Sequence, residues 1–289
     1  MDLIALTYFA ITHEVGAANL LYPYLKVEFP ETLCIATGPS GHLPTQYGLK
    51  EIEIGDVSQN MNPEENTVFL GSTPSNFESV VVPTLKILEG LPSQTVLVLD
   101  NWVNYESRFA GLTPDSVIVF DEHAHKYASQ VFHKSPNGVT QVKNYFLEDC
   151  KKRFQDEIQP KDRILFIEVP FNSFTNYTFP EGNSYCICNH LVRLCKQFHN
   201  MQIIYRRHPS GVNIDCFERF KIDFPILGQQ IVLSENLEIL DDFVNAEFVV
   251  GLPSYALFLG QSLGLQVFSA EGTNHNWHGP LFEPLSSIA

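Results

Sequence analysis

Short apolar runs with strand character alternate with amphipathic runs along the whole 289-residue chain, and this alternation limits the fold more than any other feature. Strands that are apolar throughout need cover on both faces, so the pattern predicts an α/β protein with mostly parallel sheets between helices. In the first half, strands are expected at 3–9, 33–37, 67–70, 95–99 and 116–120, with helices at 17–27, 78–88 and 124–132. In the second half, strands at 163–169, 202–205, 248–250 and 265–268 alternate with helices near 184–199, 216–220, 237–244 and 255–262.

The length suits two domains rather than one. Between His133 and Asp162 the chain turns polar and carries two turn-forming strings, Ser135-Pro136-Asn137-Gly138 and Gln159-Pro160-Lys161-Asp162. The boundary is therefore expected within 155–162, giving domains 1–157 and 158–289 bridged by a helix at 148–158.

Apolar residues make up 44% and charged residues 18%, enough to fill a core and too little charge for a disordered chain. The net charge of -15, with no basic cluster longer than Lys151-Lys152-Arg153 or Arg206-Arg207, repels a polyphosphate backbone and argues against nucleic acid. A small phosphorylated ligand held by local groups remains compatible. No apolar run approaches the roughly 20 residues of a membrane span, and the opening MDLIALTYFA lacks a basic n-region. A cytoplasmic protein without a transmembrane segment is expected.

The six cysteines show no paired framework spacing and read as reduced thiols. Cys186, Cys188, His190, Cys195 and His199 crowd together as zinc ligands would. Cys188, Leu191, Val192 and Cys195 nevertheless fall on one helical stripe, where cysteine serves as a small core residue, so no metal is expected.

Five segments carry candidate chemistry because each follows a predicted strand, where open α/β sheets bind ligands. Gly251-Leu-Pro253-Ser254 opens the helix beginning at Tyr255; its N–H groups and dipole suit a phosphate, although Ser254 can equally be a plain cap. Tyr205-Arg206-Arg207-His208-Pro209 joins two guanidinium forks to an imidazole; the alternative is that the arginines pair with surface carboxylates. Asp100 ends a buried strand before Asn101-Trp102-Val103-Asn104, where it can take a proton from a hydroxyl or merely form a turn. His13, Glu14 and Gly16 join the first strand to the first helix, and small residues there permit close ligand approach. Ser72 and Thr73 stand in a similar place and read as an acceptor wall or a simple helix start.

Together these motifs resemble the two-domain (GT-B) glycosyltransferases, and within them the bacterial sialyltransferase, polysialyltransferase and Kdo-transferase group. The resemblance lies in motif order and topology over nearly the whole chain. It implies two Rossmann-like domains facing across a cleft, the first for the acceptor and the second for a CMP- or UDP-linked sugar. It implies that Asp100 deprotonates the acceptor, His208 assists departure of the nucleotide phosphate, and Ser254 with its helix holds that phosphate, without metal or other cofactor. At the first motif Asp100-Asn101-Trp102 stands where two acidic residues and a glycine are expected. The implied role is glycan synthesis from a nucleotide-sugar donor. Asp241 to Gly251 also looks like the nucleotide-binding half of UDP-sugar enzymes, which makes a UDP-GlcNAc 2-epimerase the enzymatic alternative; a glycosyltransferase-like binding protein without catalysis is the other.

Overall fold

The computed structural model describes residues 7–62, 65–71, 93–103, 105–109, 113–155, 162–169, 183–209, 214–270 and 277–287. Two compact units divide the chain, Met1–Phe146 and Leu147–Ala289, each built on its own sheet. The helix predicted at 78–88 lies outside the described residues.

In the first unit the described strands are β1 (Thr7–Thr12), β2 (Leu33–Ala36), β3 (Lys50–Glu51), β4 (Asn66–Gly71), β5 (Ser93–Val98), β6 (Ser116–Val119) and β7 (Val139–Gln141). Every pairing is parallel, in the order β3-β2-β1-β4-β5-β6-β7. The chain thus winds outward from β1 through β2 and β3, then returns to lay β4 on the other side of β1. Crossover helices bury the faces. In Val15–Glu28, for example, Ala17, Ala18, Leu20, Leu21 and Leu25 are buried in the core.

The second unit repeats the plan with β8 (Arg163–Ile167), β9 (Gln202–Arg206), β10 (Ile231–Leu233), β11 (Ala246–Gly251), β12 (Gln266–Ser269) and β13 (Glu283–Pro284). They pair in parallel in the order β10-β9-β8-β11-β12-β13. Phe166, Ile203, Tyr205, Leu191, Phe220 and Val250 sit in one continuous core cluster. Both units are therefore doubly wound α/β domains, as the alternation of runs requires. Among the described residues no helix is long and apolar enough to cross a membrane.

The long central strands fall where the apolar runs place them, while the short ones do not announce themselves. β3, β7, β10 and β13 have two or three residues each, too few to display a period, and the exposed residues of β3 and β7, Lys50, Glu51, Thr140 and Gln141, are all polar. β1 is described from Thr7 and ends at Thr12, beyond the expected Phe9, because pairing with both β2 and β4 overrides the modest strand preference of Ala10. The polar string Ser135–Gly138 does turn the chain, with Gly138 at φ +70°, and feeds β7 directly.

Gly251 closes β11 between β8 and β12. A Cβ there would lie 2.8 Å from the Ile167 carbonyl oxygen, a backbone atom that cannot swing aside. Gly251→Ala should therefore destabilise the second unit by about 1–3 kcal/mol, the usual cost of overpacking. Chemical denaturation checks this; an unchanged midpoint would mean that β8 and β11 separate freely.

Candidate functional site

In the first unit the switch point lies between β1 and β4, the place where doubly wound sheets open a crevice at the strand carboxyl ends. His13 and Glu14 leave β1 there. The His13 ring is held by Thr37, with Nδ1 and Oγ1 2.8 Å apart, and the Ser40 N–H donates to the His13 carbonyl at 3.1 Å. Gly38 makes room for the ring: its φ is +55°, and a Cβ would fall 2.3 Å from His13 Cε1. Behind it Thr12 is bonded to the Tyr22 hydroxyl and, at 3.0 Å, to Ser40. Burial holds the Tyr22 phenol well above its ordinary range, so this small buried network stays neutral.

Asp100 follows β5 by two residues and comes over the first turn of helix Val15–Glu28, where a Cβ on Gly16 would be 3.3 Å from its Oδ2. Glu14, at the N-cap, makes no side-chain cap bond, so the helix presents its positive end to a carboxylate contributed by another strand. The loop bearing Asp100 is tied down on its far side. The buried Trp102 indole N–H donates to Asp121 at 2.8 Å, Asp121 also caps helix Glu122–Val131 through the Ala124 N–H at 2.8 Å, and the Tyr105 hydroxyl donates to the Asn101 carbonyl. Sequence reasoning passed over Asp121, although an aspartate between a strand and a helix is an N-cap signal. Ser72, Thr73 and Asn104 lie outside the described residues.

In the second unit the switch point lies between β8 and β11. Ile167 pairs with Arg206 on one side and Gly251 on the other, so the three strands end level. The segments after β9 and β11 consequently leave the sheet two strand steps apart, about 10 Å. Ser254 is an N-cap by geometry: its backbone is extended and its Oγ accepts from the Leu257 N–H at 3.3 Å. Having accepted with its oxygen, the hydroxyl keeps a proton to donate, beside the first-turn N–H groups at Tyr255 and beyond. Gly251 and Pro253 are buried in the turn that sets this cap.

The two arginines part company. Arg206 forms a salt bridge with Asp242, and its guanidinium also donates to the carbonyls of Asn236 at 3.1 Å, Glu238 at 3.3 Å and Leu237 at 2.9 Å. Asp242 in turn accepts from Ser234 and Asn236 at 2.8 Å. Arg206 thus fastens the chain after β10 to helix Ile239–Val244, the structural alternative to phosphate binding. Arg207 lies over the Phe217 ring, 5.6 Å from its centre, and reaches Glu218 only at 3.4 Å.

His208 and Pro209 follow at the edge. The His208 backbone N–H donates to Glu168 at 2.9 Å. Burial lowers its imidazole from 6.5 to about 4, so the ring is neutral at physiological pH and has one N–H to donate. Glu168 itself escaped sequence reasoning. Its signal was the one that picked out Asp100, a carboxylate closing a buried apolar strand. Cys188 and Cys195 point into the core with Leu191, and burial raises both thiols, Cys195 to about 11. Side-chain detail at Cys186 lies outside the described residues, and among those described no group of three or more potential ligands could hold a metal ion.

No family model and no curated protein matches the chain. Solved structures do. One described as a putative UDP-N-acetylglucosamine 2-epimerase from Listeria monocytogenes superposes with a TM-score of 0.61 at 13% identity, covering 93% of this chain and 80% of that one. The MnaA-UDP co-structure from S. aureus has the same TM-score and identity, with 92% and 79% covered. The GT-B domain of a sialyltransferase from Photobacterium damselae is more distant, with a TM-score of 0.46 at 10% identity and 88% of both chains covered. The two likenesses at 0.61, with the two parallel sheets, give the fold as two parallel-sheet α/β domains of the GT-B kind.

Gly16→Ala separates helix stability from the carboxylate. Alanine should leave stability unchanged or raise it by up to about 1 kcal/mol, while its methyl group displaces Asp100. Thermal melting together with the position of Asp100 in a crystal structure of the variant checks both halves.

The lowered imidazole of His208 makes stability fall on acidification. Above pH 6.5 folded and unfolded chains are both neutral at this site; between 6.5 and about 4 only the unfolded chain takes up the proton. That should remove on the order of 3 kcal/mol across the window, and no more below it. Denaturation from pH 7 to 4 should show this component in the wild type and not in His208→Asn.

Proposed function

We propose that the chain is a nucleotide-sugar-dependent glycosyltransferase in which the second unit handles the nucleotide phosphate and the first unit activates the acceptor. The observation that carries the reading is the β8–β11 switch point. A neutral imidazole with its main chain already anchored stands at one strand end, and a serine-capped helix N-terminus stands two strands away. Such a pair suits a phosphate that gains charge as it leaves: the helix end and hydroxyl accept it, and the ring donates a hydrogen bond. The UDP named for the S. aureus neighbour supports a nucleotide ligand on this fold.

Asp100 supplies the other half of the chemistry. It takes the proton from an acceptor hydroxyl, whose oxygen attacks the anomeric carbon while the bond to the nucleotide phosphate breaks. Its place over the first turn of Val15–Glu28 sets the carboxylate beside the positive end of that helix. His13 and Glu14 are the neighbouring candidates for contact with the acceptor. A glycan or other hydroxyl compound fits this role, with CMP- or UDP-linked sugars as donors and no metal required. Epimerisation of a UDP-sugar is the second reading, favoured by the two neighbours with TM-scores of 0.61.

A panel of nucleotide-sugars with acceptors separates the readings: transfer releases nucleotide only with acceptor present, whereas epimerisation changes the sugar without net release. Asp100→Asn should lower turnover by roughly 100-fold with donor affinity retained, because the amide keeps the shape but cannot take the proton. His208→Ala should lower turnover and nucleotide affinity together. Full turnover in Asp100→Asn would remove the base assignment.

A further inference from the structure

Beside His208 stands a carboxylate that the proposed chemistry does not use. Glu168 directly follows β8 and is only 2% exposed. Its Oε1 accepts from the Tyr205 hydroxyl at 2.7 Å, and its Oε2 accepts from the His208 backbone N–H at 2.9 Å. Its own N–H donates to the Arg206 carbonyl at 3.0 Å. A buried carboxylate is costly to desolvate unless its lone pairs are used, whereas its neighbours Ile167 and Val169 fill space at no such cost.

These two bonds run to β9 and its exit. Tyr205 is fully buried, with its ring stacked on Phe166 at 5.6 Å, so its hydroxyl is a fixed point. One carboxylate oxygen is pinned there. The other is then presented to the N–H three residues further on, where the chain has left the sheet and is no longer held by strand pairing. A charge-assisted bond at that position replaces the ladder that has ended.

We propose that Glu168 is a positioning residue: pinned by Tyr205, it holds the main chain of His208 and so fixes the direction in which the imidazole meets the nucleotide phosphate. The inference rests on the phosphate role assigned to His208. It differs from a packing role because it acts through one bond to one backbone group, and a side chain that keeps that bond preserves it. Glutamine can do so, accepting from His208 with its oxygen while its amide donates to the Tyr205 oxygen. Leucine fills similar space and can do neither.

The test measures UDP and CMP affinity by calorimetry for Glu168→Leu and Glu168→Gln, each with His208 present and in the His208→Ala background. Glu168→Leu should weaken binding about 10-fold when His208 is present and less than about twofold when it is absent, since the two changes remove one shared contribution. Glu168→Gln should stay within about threefold of the wild type. Equal loss in both backgrounds, or no loss, overturns the proposal. Should Glu168→Leu fail to fold, Tyr205→Phe removes only the pinning hydroxyl and should show a smaller loss with the same dependence on His208. Nuclear magnetic resonance of the free protein separates this inference from the nucleotide reading. His208 should occupy one side-chain rotamer in the wild type and several in Glu168→Leu or Tyr205→Phe. If the wild type binds neither nucleotide, the nucleotide reading fails and with it the phosphate half of the proposal. A single rotamer retained in both variants overturns the positioning half.

Discussion

Parallel strand pairing is the constraint from which the rest follows. When every strand in a sheet runs the same way, all carboxyl ends gather on one edge, and residues far apart in sequence become neighbours there. In the second unit this brings Glu168, His208 and Ser254 to adjacent strand ends although 86 positions separate the first from the last. In the first unit it brings Asp100 to the helix that follows β1. Neither grouping needs a long loop. Each side chain is placed by a strand that is buried on both faces and therefore cannot slip in register without exposing apolar surface.

Polar groups at these edges are handled in two distinct ways. Asp242 and Arg206 form a closed set with Ser234, Asn236 and three carbonyls, and the result is a fastening. Breaking one partner of such a buried pair leaves a stranded charge, which is why it belongs to stability rather than to ligand exchange. Ser254 and His208 are held differently, Ser254 through its oxygen, which accepts from the Leu257 N–H, and His208 through its main-chain N–H, which donates to Glu168.

The central architecture was legible because burial on both faces writes long apolar runs into β1, β4, β5, β8 and β11. Helix Tyr255–Ser262 was legible to the residue because Ser254 caps it and Gly264, at φ +83°, follows its end. The edge strands were not, since two or three residues carry no period and pair only because a neighbour supplies the ladder. Within the candidate site, sequence indicated Asp100, His208 and Ser254 by their places after strands, and it could not rank Arg206 against Arg207. Their difference is tertiary: Arg206 lies where Asp242 and the turn after β10 reach it, whereas Arg207 points to helix Ile214–Asp223. Glu168 was passed over because the expected strand ran to Val169, which put this glutamate inside the apolar run, whereas β8 ends at Ile167.

The acidic character of the chain bears on how such an edge would hold the phosphate proposed for it. At a net charge of -15 the long-range field opposes an anion, so affinity must come from groups within a few ångströms, where screening is weakest. A helix N-terminus meets that need because its partial charge is carried by fixed N–H groups rather than by a mobile cation. A neutral imidazole meets it differently. Its hydrogen-bond donation does not require a buried positive charge before the ligand arrives, and a phosphate dianion placed beside it would favour its protonation. The charge needed to balance a leaving phosphate can therefore appear when the phosphate does, which costs the ligand-free fold less than a permanently buried cation would.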